Sequence, residues 1–150
     1  SEDPALEAID VLTDPYVLLV PRDDPLAGTG RPVRLREVAA LPLIAYKRPD
    51  QGGEAAIRAT GAEPNIVFRS DETGVVQGLV GAGLGYALVP RLTVARHDRT
   101  TRAVPVRDVA PRVLTLTWYA DRTLSPGARA FVEVVRDLAA SLSDEWTGRL

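Results

Sequence analysis

The chain has 150 residues, 45% of them apolar and 25% charged, which fits one globular domain of ordinary size with a sizeable core. A net charge of −2 gives no global basic field for nucleic acid, and zero cysteines exclude disulfides, thiolate metal sites and cysteine nucleophiles. No apolar run approaches the ~20 residues of a membrane helix, and the first residues lack a signal-peptide layout.

Residues 1–15 (SEDPALEAIDVLTDP) mix acidic and apolar residues without a clean period and end on the turn signal Asp14-Pro15. Tyr16 to Val20 then form a continuous apolar run closed by Pro21, Asp23, Asp24 and Pro25, which predicts a strand buried on both faces. Val33, Leu35, Val38 and Leu41 are spaced for a short amphipathic helix, and LPLIAY (41–46) reads as a second buried strand. QGGEAAIRATGAEP predicts a helix stopped by Gly61 and Pro64, followed by a third strand, NIVFRS (65–70).

A helix start comes next, with Ser70 or Asp71 as cap and Asp71 and Glu72 suited to its positive end. Val75, Val76, Leu79 and Val80 would form its buried stripe, and YALVP (86–90) a fourth strand. Residues 91–112 are arginine-rich and read as irregular, with one helical turn near 91–96. VLTLTWY (113–119) alternates, as a half-exposed strand at an edge or antiparallel position would. Residues 125–142 predict a strong helix: Ser125 caps it, Pro126 opens it, and Ala128, Phe131, Val135, Leu138 and Leu142 share a face. This alternation implies an α/β fold, a Rossmann-like open and mostly parallel sheet with flanking helices.

The run LVGAGLGYALVP (79–90), with glycines at 81, 83 and 85, invites a nucleotide-binding reading. A dinucleotide fingerprint needs strand, glycine turn, then helix, so that free N–H groups face the pyrophosphate. Here the glycines follow a helix and precede a strand. Gly83 or Gly85 therefore reads as a helix stop, and Gly78 and Gly81 as close-packing positions. His97, the one histidine, sits beside Asp98 in a loop, and no serine lies in a G-x-S-x-G elbow, so no catalytic constellation emerges. With one histidine and no cysteine, neither metal nor cofactor is expected. Asp23/Asp24 and Asp71/Glu72 fall where turns and helix starts favour acids anyway. The arginines at 91, 96, 99, 102, 107 and 112 lack interleaved aromatics and read as a solvated face.

In open α/β sheets, ligands sit outside the carboxyl ends of the strands. Those ends are Tyr46-Lys47-Arg48 after the second strand, Ser70-Asp71-Glu72-Thr73 after the third and Val89-Pro90 after the fourth, and among them Tyr46, Lys47, Arg48, Asp71, Glu72 and Thr73 are the candidate effector-binding residues. Helix N–H groups near 71–74 would take a carboxylate, and Lys47 or Arg48 would add positive charge.

Four segments in order, YVLLVPRDDPLA, VRLREVAALPLIAY, GLVGAGLGYALVP and LTLTWYADRTLSPGARAFVEVV, resemble the effector-binding domain of LysR-type transcriptional regulators. Asp24 stands where that family usually has histidine before proline, with no change of fold expected. The resemblance implies one lobe of a type II periplasmic-binding-protein-like fold. Residues 1–15 would be a crossover from a first lobe, 16–119 the second lobe, and 120–150 a helix that packs on the first lobe. It also implies a cytoplasmic, non-enzymatic ligand sensor that binds a small-molecule effector, an organic anion, between two lobes. DNA would be read only through a domain outside these residues, no membrane would be involved, and the regulator would be a homo-oligomer. The missing methionine agrees with a fragment of a longer chain. With its usual partner surface missing, the apolar stripe of the last helix would dock anew or self-associate. Two alternatives remain: a small α/β nucleotide-binding enzyme domain using the glycine run, and a periplasmic-type solute-binding protein.

Overall fold

The computed structural model describes residues 5–95 and 98–146, with side chains as far as 141. In chain order the elements are β1 (Leu6–Asp14), β2 (Tyr16–Pro21), β3 (Val33–Arg34), α1 (Leu35–Ala39), β4 (Leu43–Ala45) and α2 (Gly52–Ala59). They continue as β5 (Ile66–Arg69), α3 (Thr73–Gly81), β6 (Ala87–Pro90), β7 (Thr101–Arg107), β8 (Arg112–Tyr119) and α4 (Pro126–Trp146). Two compact units result: Pro15–Pro111 is one, and the described residues before 15 together with those after 111 are the other.

In the first unit β2 lies between β6 and β7, antiparallel to both, and β3 extends β7 in parallel. A parallel bridge from Leu43 to Tyr86 brings β4 alongside β6, and β5 pairs parallel with β4. In this unit all strands but β2 therefore share one direction, and the open sheet flanked by helices expected from the sequence is present, but as a mixed sheet in which β2 is reversed. The continuous run in β2 is explained by its two faces. Leu18 and Val20 join one cluster with Leu35, Val38, Leu43 and Ile57, while Val17 and Leu19 join another with Ile44, Val76 and Val80. Helices α1 and α2 thus cover one face and α3 the other.

In the second unit β1 and β8 form an antiparallel ribbon, and α4 packs on β1. Ser125 caps α4 as expected, its Oγ accepting the Ala128 N–H at 3.2 Å. Leu142 and His97 lie outside the residues whose side chains are described.

Several expectations need correction. Residues 101–107, read as irregular, form β7, because Thr101 and Val104 turn inward while Arg102, Pro105 and Arg107 face out. Residues 6–14, read as patternless, form β1. Along α3 it is Gln77, not Val75, that is buried. Its amide nitrogen donates to Asp98 Oδ2 at 2.9 Å and Thr101 Oγ1 at 3.1 Å, and its carbonyl accepts the Ala95 N–H at 3.1 Å. Burial raises the pKa of Asp98, but hydrogen bonds from Thr101, Thr100 and Gln77 outweigh it and hold the carboxyl well below the usual range. Neither Ser70 nor Asp71 caps α3; the cap position is Glu72, without a side-chain bond. Ser70 Oγ instead accepts the Glu72 N–H at 3.1 Å.

The glycine run is a helix stop. Gly83 has φ +78, its N–H reaches Val80 O at 2.9 Å, and the Leu84 N–H reaches Leu79 O at 3.0 Å, a Schellman pair. A Cβ on Gly85 would lie 2.7 Å from Pro42 O, and one on Gly81 would strike Thr100, whereas Gly78 faces open space and is no packing position.

Asp24 closes the turn after β2. Its Oδ1 accepts the Leu26 N–H at 2.8 Å and its Oδ2 accepts the Tyr86 hydroxyl at 2.7 Å. The Asp24 carboxylate and partial burial push the Tyr86 pKa up to about 12. Because the folded value is raised, the contribution of this bond is complete below the unfolded tyrosine pKa of ~10 and disappears as pH rises through about 12. Urea unfolding of wild type should therefore lose up to about 2 kcal/mol across that window relative to Tyr86→Phe. Parallel alkaline slopes for the two proteins would refute this.

Candidate functional site

Because β4, β5 and β6 run in one direction, their carboxyl ends share one edge of the sheet. The loop after β4 (46–51) and the turn after β5 (70–72) leave from this edge, and each feeds the N-terminus of a helix, α2 or α3. Tyr16, at the start of the reversed strand β2, pairs with Pro90 at the end of β6 and so joins the same edge. A Cβ built on Gly52 would lie 3.7 Å from Tyr46 Cδ2 and 4.0 Å from Tyr16 Oη, so both tyrosines meet the first turn of α2. Gly52 itself has φ +68, a conformation that suits glycine at the helix entry.

The six candidate effector-binding residues Tyr46, Lys47, Arg48, Asp71, Glu72 and Thr73 lie along this edge. Tyr46 and Thr73 are half-buried, and Lys47, Arg48, Asp71 and Glu72 are exposed. Direct contact joins two of them: the Lys47 N–H donates to Asp71 Oδ1 at 2.9 Å, tying the loop after β4 to the turn after β5. Lys47 and Arg48 make no ion pair among the described residues. Neither α2 nor α3 has a side-chain bond at its cap. The first turns of two helices thus start at one edge, where Lys47 and Arg48 lie near the acids Asp71 and Glu72, and uncapped first-turn N–H groups are a setting in which an anion can be held.

Beneath the edge a small cavity of about 20 Å³, room for little more than a water molecule, lies between the sheet and α2. Tyr46, Gln51, Gly53, Glu54, Ile57 and Leu88 help to line it. The backbone of α2 approaches β6 closely there, since a Cβ on Gly53 would lie 2.7 Å from Leu88 O.

The carboxylate of Glu54 has a side chain only 2% exposed. Arg69 embraces it, Nη1 donating to Oε2 at 2.7 Å and Nη2 to Oε1 at 3.0 Å, and Arg58 adds bonds at 3.3 and 3.2 Å. The Arg69 hydrogen bonds, joined by those of Arg58, overcome the cost of burial and hold the Glu54 carboxyl below its ordinary range, while both arginines shift upward. Sequence reasoning missed Tyr16, Gly52, Glu54 and Arg69. The Gly52-Gly53 pair at a helix entry was an available signal for the first turn of α2. Nothing in the sequence distinguishes Glu54 from an ordinary exposed acid near a helix start.

An open α/β sheet with polar loops gathered at its carboxyl edge is an arrangement in which small ligands are commonly bound. The chain belongs to the LysR substrate binding domain family, whose pattern matches residues 1–140. The HTH-type transcriptional regulator YybE of Bacillus subtilis (strain 168) is 29% identical over 138 residues, which are 87% of this chain and 45% of YybE. The chain thus spans about half the length of that relative. Among solved structures, the C-terminal domain of a probable LysR family regulator from Rhodococcus sp. RHA1 superposes with a TM-score of 0.74 at 26% identity, over 89% of this chain and 69% of that one. The BenM effector binding domain, solved with its effector benzoate, is alike in fold: TM-score 0.74, 20% identity, 95% of this chain and 67% of that one. The family is one of regulator domains rather than enzymes. Among the described residues no helix is long and apolar enough to cross a membrane.

Proposed function

We propose that the chain is the effector-sensing part of a bacterial DNA-binding transcriptional regulator, without catalytic activity. A small organic anion binds at the carboxyl edge of the sheet, where Lys47 and Arg48 supply charge, the first turns of α2 and α3 supply N–H donors, and Tyr46, Asp71, Glu72 and Thr73 shape the surface. The single observation that carries this reading is the convergence on one strand edge of two helix starts lacking side-chain caps, beside Lys47 and Arg48, which make no ion pair among the described residues. The small cavity beneath the edge supports a ligand seated on the edge rather than inside it.

In this reading the unit Pro15–Pro111 is the second lobe of the effector domain, and the β1–β8 ribbon with α4 serves the first lobe, so the lobe ends at 111 rather than at the 119 expected from the sequence. Effector held between the lobes of the full-length protein changes the arrangement of its subunits on DNA, which a separate domain reads; differential affinity for two states couples the sites. The regulator acts in the cytoplasm as a homo-oligomer.

Calorimetric titration with a panel of small carboxylates tests the site. Replacing Lys47 and Arg48 together by alanine should weaken the best binder about tenfold or more. Unchanged affinity in that variant would remove the cationic edge from the account.

A further inference from the structure

We infer that Arg69 is a positioning residue for the effector edge: its guanidinium ties together both ends of the loop that carries Tyr46, Lys47 and Arg48. The inference rests on reading that edge as the effector site. The loop leaves β4 at Tyr46 and enters α2 at Gly52. Arg69 closes β5 opposite Ala45, so its side chain starts beside the origin of the loop. From there Nη1 donates to the Tyr46 carbonyl at 2.8 Å, at one end, and to Glu54 Oε2 at 2.7 Å, in the first turn of α2 at the other. Nη2 completes the fork to Glu54 Oε1 at 3.0 Å. One planar group therefore spans the loop.

Arg58 provides an internal comparison. It shares the Glu54 carboxylate, at 3.3 and 3.2 Å, but lies one turn further along α2 and turns to Glu63 rather than to the loop. Two arginines hold the same acid, and of these Arg69 has the bond to the Tyr46 carbonyl. A lysine at 69 keeps the charge but lacks the rigid fork needed to hold the carbonyl and both carboxylate oxygens together.

The test compares Arg69→Lys, Arg58→Gln and Tyr46→Ala in the full chain, with millimolar sodium benzoate as the probe. Two readouts are taken: benzoate-induced amide shifts, and hydrogen exchange of the Lys47, Gln51 and Gly53 amides without ligand. Arg69→Lys should weaken benzoate about tenfold and speed loop exchange by a similar factor, while Arg58→Gln should leave both within about twofold of wild type. Equal losses in the two arginine variants would reduce Arg69 to a general stabiliser, and wild-type behaviour of Arg69→Lys would overturn the inference. If wild type gives no benzoate response, or Tyr46→Ala responds like wild type, the reading of the edge fails. The exchange comparison still decides whether Arg69 holds the loop.

Discussion

Replacing Leu18 by alanine should cost about 3 kcal/mol, seen as a lowered urea midpoint with an unchanged slope. Leu18 is 0% exposed and lies in the interior of β2, opposite Leu88 on one side and Val104 on the other. Hydrogen-bonded strands on both flanks keep the backbone from collapsing into the vacated space, which places the site among the costlier leucine truncations. The comparison that gives this number meaning is Phe131→Ala. It removes a larger side chain, yet Phe131 is 58% exposed on α4, so the cost should stay within about 0.5 kcal/mol. Similar losses at the two positions would mean that the core is misplaced.

Arg112→Ala should be nearly as damaging, at about 2–3 kcal/mol. Asp14 and Arg112 face each other where β1 ends and β8 begins. The Asp14 side chain is 0% exposed, and Arg112 reaches its Oδ2 with Nη2 at 2.6 Å and Nε at 3.1 Å. Removing the guanidinium leaves a buried carboxylate without that counter-ion, which costs more than the pair itself contributes. Adding Asp14→Ala to Arg112→Ala should therefore recover part of the loss, a non-additivity that a double-mutant cycle by denaturant unfolding measures directly. A fully additive double variant would contradict this account of the pair.

How much the sequence discloses depends on how locally each fact is encoded. The strands at 16–20 and 86–90 were legible because a strand buried on both faces must be apolar at consecutive positions. Strand β7 was not legible: Pro105 and the outward Arg102 and Arg107 break the pattern, and its inward Thr101 is satisfied by Gln77 and Asp98, a partnership visible only in three dimensions. The same holds for α3, where Val75 looks like core and is exposed, while Gln77 looks like surface and is buried. In α4 the expected stripe of Phe131, Val135 and Leu138 divides. Val135 is half-buried, along with Ala128, Val132 and Ala139, while Phe131 and Leu138 are outside.

At the candidate site, strand order and polarity could be anticipated, and they were enough to nominate Tyr46, Lys47 and Asp71. Tyr16 needed the knowledge that β2 is reversed beside β6, so that its first residue meets the last residue of its neighbour. Arg69 and Glu54 needed a pairing across 15 positions between a strand end and a helix start, which no local pattern announces. Position along a sheet edge is legible from order alone, whereas the supports beneath that edge are not.

The most direct test of the central claim is a residue-by-residue amide shift map of this chain during titration with a panel of small carboxylates, with ATP as the comparison ligand. Saturable shifts concentrated at 46–53 and 70–74 are expected with at least one carboxylate, and no saturable ATP shifts at 81–85. Saturable shifts centred on Gly81, Gly83 and Gly85 with ATP, and none at the strand edge with any carboxylate, would contradict that claim.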